Sequence, residues 1–200
     1  MKVLSKKYTI IIYLILLNLL LINCKDKDWR DEISSSNKEI NTQLILDQSK
    51  LKQMVKKDYL ISNSSNSKEE AIQSYLIELL SSNKKQSDMY SFDKKELLEI
   101  LYPNSLGTGT SLDSTPLSIY EDLVWQRKIL GEEKILNKFK NKNFSIKKIN
   151  WRKGFREYGV LKGYKPDSIE IISNRELIII EEIKQVIEHN GQYKVAIVAP

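Results

Sequence analysis

Near Phe144 the chain changes its periodicity, and that change constrains the fold more than any other feature. Upstream, apolar residues recur at helical spacing. Ala71, Ile72, Tyr75, Leu76, Leu79 and Leu80 form one stripe behind a Ser67/Glu70 capping box, predicting a helix over 68–82. Asp93 and Glu96 repeat the box before Leu97, Leu98 and Leu101, a short helix expected to stop before Pro103. Thr115 and Pro116 open a third helix through Leu117, Tyr120, Leu123, Val124 and Leu130, with Gly131 as its expected break. Downstream, β-rich runs at 144–152, 155–162, 168–173, 176–188 and 192–198 are separated by Gly154, Gly163 with Pro166-Asp167, Ser173-Asn174 and Asn190-Gly191. Asn-Gly accepts the positive φ of a type I′ turn, so 192–198 should close a hairpin. Residues 177–180 are apolar on both faces and predict a central strand covered by helix. Helices first and strands afterwards specify an α+β domain, its N-terminal helices packed on a C-terminal antiparallel meander sheet.

That order and the closing hairpin resemble the cystatin-like or nuclear-transport-factor-2-like fold over residues 68–200. The resemblance implies a curved, cone-shaped sheet with a pocket in its concave face. Such folds serve enzymes and binding modules alike, so the topology does not choose a function.

The N-terminus carries a different message. Lys2, Lys6 and Lys7 precede an apolar run from Tyr8 to Ile22, broken by Thr9 and Asn18. As a helix it would reach about 22 Å, short of the ~30 Å hydrocarbon core, which favours a secretory signal over residues 1–23. The run ends at Cys24, followed by Lys25-Asp26-Lys27-Asp28. Leu21-Ile22-Asn23-Cys24 resembles the lipobox of bacterial lipoproteins, and Asn23 in place of a small residue resembles the looser boxes of spirochaetal ones. The resemblance implies cleavage before Cys24, lipid modification of Cys24 with palmitate-type chains, and tethering of an exported protein to a membrane of the cell envelope or surface. Each buried CH₂ of an acyl chain contributes about 0.8 kcal/mol. An uncleaved signal anchor and a chance cysteine are the alternatives.

Residues 24–67 are expected to form a tether. It contains a helix over 38–60, on the spacing of Ile40, Leu44, Leu51, Met54, Val55 and Tyr59, and a Ser/Asn linker at 62–67. The globular domain is then 68–200. Self-association through helix 38–60, as a structural part of the envelope, is a further reading.

A lone Cys excludes a disulfide framework, and one Cys with one His argues against a protein-built zinc site, so neither metal nor cofactor is expected. Gly107-Thr108-Gly109 has Leu112 where a phosphate-binding fingerprint would need glycine, and reads as turn glycines. His189, the single imidazole, adjoins the Asn190-Gly191 turn and reads as solvated, with a place at a pocket mouth as the alternative. Glu132-Glu133 and Glu181-Glu182 read as solvated pairs, although strand alternation turns one of Glu181 and Glu182 inward.

Charge is the remaining signal. The formal net charge is +6, but without the three N-terminal lysines the balance is +3, so the chain is no polycation. Residues 127–165 nevertheless hold 13 Lys and Arg against three glutamates, while 68–123 hold 5 Lys against 10 acids. Within the basic segment Lys147, Lys148, Trp151, Arg152, Lys153 and Arg156 interleave cations with aromatics and are the candidate anionic-surface site. For an exported protein the fitting partners are anionic lipid, acidic glycan or another envelope protein rather than nucleic acid. A solvated lysine-rich surface, with Trp151 and Phe155 partly buried, is the plainer reading. These features describe a membrane-anchored lipoprotein with a non-catalytic binding domain. The alternative is a small-molecule-binding or catalytic pocket using His189 or an inward carboxylate.

Overall fold

The computed structural model describes residues 29–81, 89–139 and 143–200; Cys24 and the signal expected over 1–23 lie outside the described residues. The fold is α+β, with helices followed by antiparallel strands. In order come α1 (Trp29–Met54), α2 (Lys68–Ser81), α3 (Lys94–Glu96), a π-helical turn (Leu97–Leu101), α4 (Tyr102–Ser105), a 3-10 turn (Ser111–Asp113) and α5 (Leu117–Lys138). The strands are β1 (Ser145–Trp151), β2 (Arg156–Tyr158), β3 (Leu161–Tyr164), β4 (Pro166–Ser173), β5 (Glu176–Ile180), β6 (Ile183–His189) and β7 (Gln192–Val198). No described helix is long and apolar enough to cross a membrane.

The chain divides into two compact units, Met1–Thr42 and Gln43–Pro200. In the first, the described residues are helical, starting at Trp29 rather than 38, and Ile33 and Ile40 are exposed. The second holds both apolar cores and every described strand, so it carries what it needs to fold by itself. It begins well before the expected boundary at 67. Residues 62–67 are not a loose linker here. Ser65 exchanges backbone hydrogen bonds of 2.8 and 2.9 Å with Tyr193 of β7, and Tyr59 and Ile61 are core residues.

The C-terminal antiparallel strands are divided between two sheets, ordered β1-β4-β5 and β2-β3-β6-β7. Two expected strands are each divided. Gly159, at φ +55, turns β2 into β3, and the Glu181-Glu182 corner separates β5 from β6. The turns at Asn174-Arg175 and Asn190-Gly191 have the paired positive φ of type I′ hairpins, as Asn-Gly predicts. The expected central strand is misplaced: β5 is a sheet edge, with Leu177 54% and Ile179 47% exposed. The strand buried on both faces is β6. Its Ile187 packs with α1, Phe92 and the π-helical turn, while its Val186 packs with α2, β4 and β7.

Two helix boundaries also differ from expectation. The α3 segment keeps its Asp93/Glu96 capping box but continues past Pro103, because the backbone widens into a π turn just before it and the Tyr102 N–H bonds Leu97 O. Gly131 does not break α5. A Cβ there would sit 2.9 Å from Ala199 N and from Val198 Cγ1, so the missing side chain is what lets α5 press onto the end of β7. At the start of α5 the Leu117 N–H is capped by Asp47 Oδ2 of α1, at 2.8 Å, in place of Thr115.

A buried ion pair joins these layers. Lys194 Nζ of β7 lies 2.8 Å from Glu96 Oε2, and Glu96 also accepts from the Ser62 hydroxyl at 2.7 Å. Three separate segments thus meet at one desolvated carboxylate. Gly131→Val forces overpacking against backbone at the α5–β7 contact. It should cost about 2 kcal/mol and lower the melting temperature of Gln43–Pro200 by roughly 4–8 °C in a thermal unfolding measurement.

Candidate functional site

The face of α5 toward the four-stranded sheet does not close completely. An inner lobe of about 400 Å³ lies between them and adjoins an outer lobe of about 410 Å³ on the sheet beside the β1–β2 connection; the two share Tyr158, Lys165, Lys184, Gln185 and Ile197. The inner lobe is walled by Leu101, Tyr120, Val124 and Ile197, with Arg127 entering from α5 and Thr110 from the loop before the 3-10 turn. The outer lobe adds Arg152, Lys153, Phe155 and Arg156 from the β1–β2 connection. Six cations therefore line the cleft, and no carboxylate side chain does among the described residues.

Local structure explains how the cleft is held open. Gly163 of β3 lies beneath Gln185 Nε2, 2.3 Å from where its Cβ would be, and beneath Tyr158 Cε2, at 2.6 Å. Its missing side chain lets Gln185 reach across the strand and donate to Tyr158 Oη at 2.8 Å. With its oxygen accepting, the Tyr158 hydroxyl keeps a proton to give. Thr110 Oγ1 is buried without a hydrogen-bond partner in the inner lobe. Arg156 is oriented by the Thr108 carbonyl and by the Tyr158 ring, 5.3 Å from its centroid. The exposed polar chemistry is thus dominated by donors and positive charge, the complement of an oxyanion.

Electrostatics sharpen the point. Burial pushes the Lys184 ammonium below the usual lysine range, and Lys134 and Lys165 push the same way against Glu182 and Glu181. Burial also raises the Tyr120 hydroxyl, which stays protonated. Elsewhere cations of the basic segment are matched: Lys134 and Lys138 reach Glu182 at 3.2 and 2.8 Å, Lys147 reaches Glu170 at 3.1 Å, and Lys162 reaches Glu188 at 3.1 Å. Lys128 is buried, 3.3 Å from Phe92 O and 3.9 Å from Glu132.

The sequence-predicted surface site is divided by this arrangement. Arg152, Lys153 and Arg156 line the cleft, although Arg152 also meets Asp167 at 3.2 Å. Lys147 and Lys148 lie on β1, where a bulge leaves both exposed beside Glu170. Trp151 is fixed to α2: its Nε1 donates to Glu69 Oε1 at 2.8 Å and Lys68 Nζ sits 4.5 Å from its ring centroid. Arg127 and Lys165 belonged to the basic segment but were not singled out, and Lys184 lies beyond it. Regular alternation would turn the neighbours Lys184 and Gln185 to opposite faces; the irregularity at Gln185 in the β6–β7 pairing brings both to the cleft, and nothing in the sequence signals it.

His189 is not solvated; it is 3% exposed. Its Nε2 lies 2.8 Å from Asp58 Oδ1 and its Nδ1 3.3 Å from Val160 O, so it ties residues 58–59 to the β6–β7 hairpin outside the cleft. Glu132 is fully buried against Tyr75, not solvated, and Glu182 is the inward member of its pair. Comparison with protein-family models, curated proteins and solved structures finds no match.

Glu182 shapes the site from behind. Burial alone would raise its carboxyl, but hydrogen bonds from Lys138, the Glu181 N–H and Lys134 hold it below the ordinary 4.5. Because the folded-state value is depressed, the stability it supplies is complete above pH 4.5 and is lost as pH falls through the lowered value. Glu182→Gln should destabilise the protein by about 2 kcal/mol at neutral pH. Chemical denaturation across a pH series should show that gap shrinking below 4.5.

Proposed function

We propose that this protein is an exported lipoprotein, tethered to the cell envelope through acylated Cys24, whose Gln43–Pro200 unit binds a small anionic ligand without transforming it. The observation that carries the binding half is the six-cation cleft beside α5 and the four-stranded sheet, lined by no Asp or Glu side chain among the described residues. A cleft of this size, part apolar and part convergent donors, suits a small molecule or a headgroup. The tether rests on the N-terminal signal pattern and on Leu21-Ile22-Asn23-Cys24. A purely binding role is favoured over catalysis because the single imidazole is engaged elsewhere and no Asp or Glu side chain among the described residues lines the cleft to act as base.

Two measurements test the two halves. Mass spectrometry of the N-terminal peptide should find Cys24 acylated and at the mature N-terminus; an unmodified Cys24 within a longer chain overturns the tether. Calorimetric titration with inorganic phosphate, pyrophosphate and citrate should show binding to at least one. Binding should be weakened about tenfold by Lys165→Gln with Lys184→Gln, and further as salt is raised. Because Lys184 gives up its proton below 10.5, affinity should also fall on the alkaline side before that pH is reached. Absence of binding to all three anions overturns the ligand half.

A further inference from the structure

The cleft opens beside an apolar stripe that the fold leaves uncovered. Ile119, Leu123, Arg127, Leu130 and Lys134 succeed one another on α5 at spacings of four, four, three and four residues, which places them on one side of the helix. Ile119 is 57%, Leu123 44% and Leu130 54% exposed. Leu123 and Arg127 also line the inner lobe, so the stripe and the cationic cleft are continuous. Across the cleft Phe155, itself about half exposed, stands among Arg152, Lys153 and Arg156, with Lys162 Nζ 5.7 Å from its ring centroid.

We infer that the α5 stripe and the cleft form a docking surface for a bilayer containing anionic phospholipid, with a headgroup phosphate taken up among Arg127, Lys165 and Lys184. The inference rests on the anion-binding reading above and names the source of the anion. Aliphatic and aromatic side chains projecting among Lys and Arg are the arrangement that interfacial binding requires: the apolar groups enter the boundary between headgroups and acyl chains, and the cations meet phosphates. A soluble anion would occupy the cleft and leave Ile119 and Leu130 in water; a bilayer covers both. Acidic groups near this surface do not oppose it strongly. Glu182 is buried and taken up by Lys134 and Lys138, and Asp167 pairs with Arg152; the exposed Asp122, Glu133 and Glu157 are outnumbered by the six cations of the cleft. Each cation near an anionic surface strengthens binding about fivefold.

The Gln43–Pro200 unit, which carries both cores and none of the anchor segment, is the form to test. Vesicle co-sedimentation with phosphatidylglycerol/phosphatidylcholine mixtures, and with phosphatidylcholine alone, measures docking. Calorimetry with glycerol 3-phosphate measures the cleft separately. Ile119→Asn with Leu130→Asn alters exposed residues outside the cleft, and circular dichroism checks that it is folded. The expected result is selective binding to the anionic vesicles, reduced at least about tenfold by that double variant, with glycerol 3-phosphate affinity unchanged. If glycerol 3-phosphate binds but anionic vesicles are bound no better than neutral ones, or the folded double variant binds vesicles as the parent does, the docking surface is wrong and the anion cleft stands. If neither glycerol 3-phosphate nor anionic vesicles bind, both readings fall.

Discussion

A single buried carboxylate, Glu182, ties the C-terminal half of α5 to the sheets. It stands at the corner between β5 and β6, where its side chain accepts from Lys134 and Lys138 of α5 and from its own preceding backbone N–H. Its backbone carbonyl accepts from Ala199 N at 2.9 Å, and Lys138 continues to Ile179 O. The end of α5, the corner between the two sheets and the end of β7 are thereby fixed around one charge. Gly131 lets the helix come close enough for this to happen. The cleft is the space left once that end of α5 is clamped, and the residues that line it inherit their positions from the clamp.

The basic segment gains meaning from the same account. Its cations divide by partner. Lys134, Lys138, Lys147 and Lys162 face glutamates and hold elements together. Lys128 is sunk beneath Phe92 and Trp125. What remains, chiefly Arg127, Lys153, Arg156 and Lys165, joins Lys184 around one hollow. A count of charge along the chain cannot make this division, because the matching acids at Glu170, Glu182 and Glu188 lie outside the basic run.

Local chemistry written into adjacent residues was legible in the sequence. The Asp93/Glu96 box, the stripe of α2, the Asn190-Gly191 hairpin and the α+β order all rest on short-range steric and hydrogen-bonding preferences. Features that depend on distant partners were not. Residues 62–67 have linker composition, yet Ser65 pairs with Tyr193 and Ser62 with Glu96. Gly131 looks like a helix breaker until Ala199 is beneath it. An apolar run at 177–180 suggests a covered strand, but only pairing decides that it lies at an edge. At the cleft, three of the six cations were named from their interleaving with aromatics. The other three come from different elements, and only the tertiary fold brings them together.

The position of β7 carries a consequence for how the chain acquires its shape. Segments near Ser65, Ser91, Glu96, Gly131 and Glu182 each contact residues between 193 and 199. These contacts span long stretches of chain, and their loop-closure entropy must be met before they contribute anything. A polypeptide emerging N-terminus first therefore cannot complete either core until residues 192–199 have appeared. Until then Val186 and Ile187 of β6 have a neighbouring strand, β3, on one side only, and Lys194 is not there to meet Glu96. Such a chain stays open and threadable for most of its synthesis, then closes around its final hairpin.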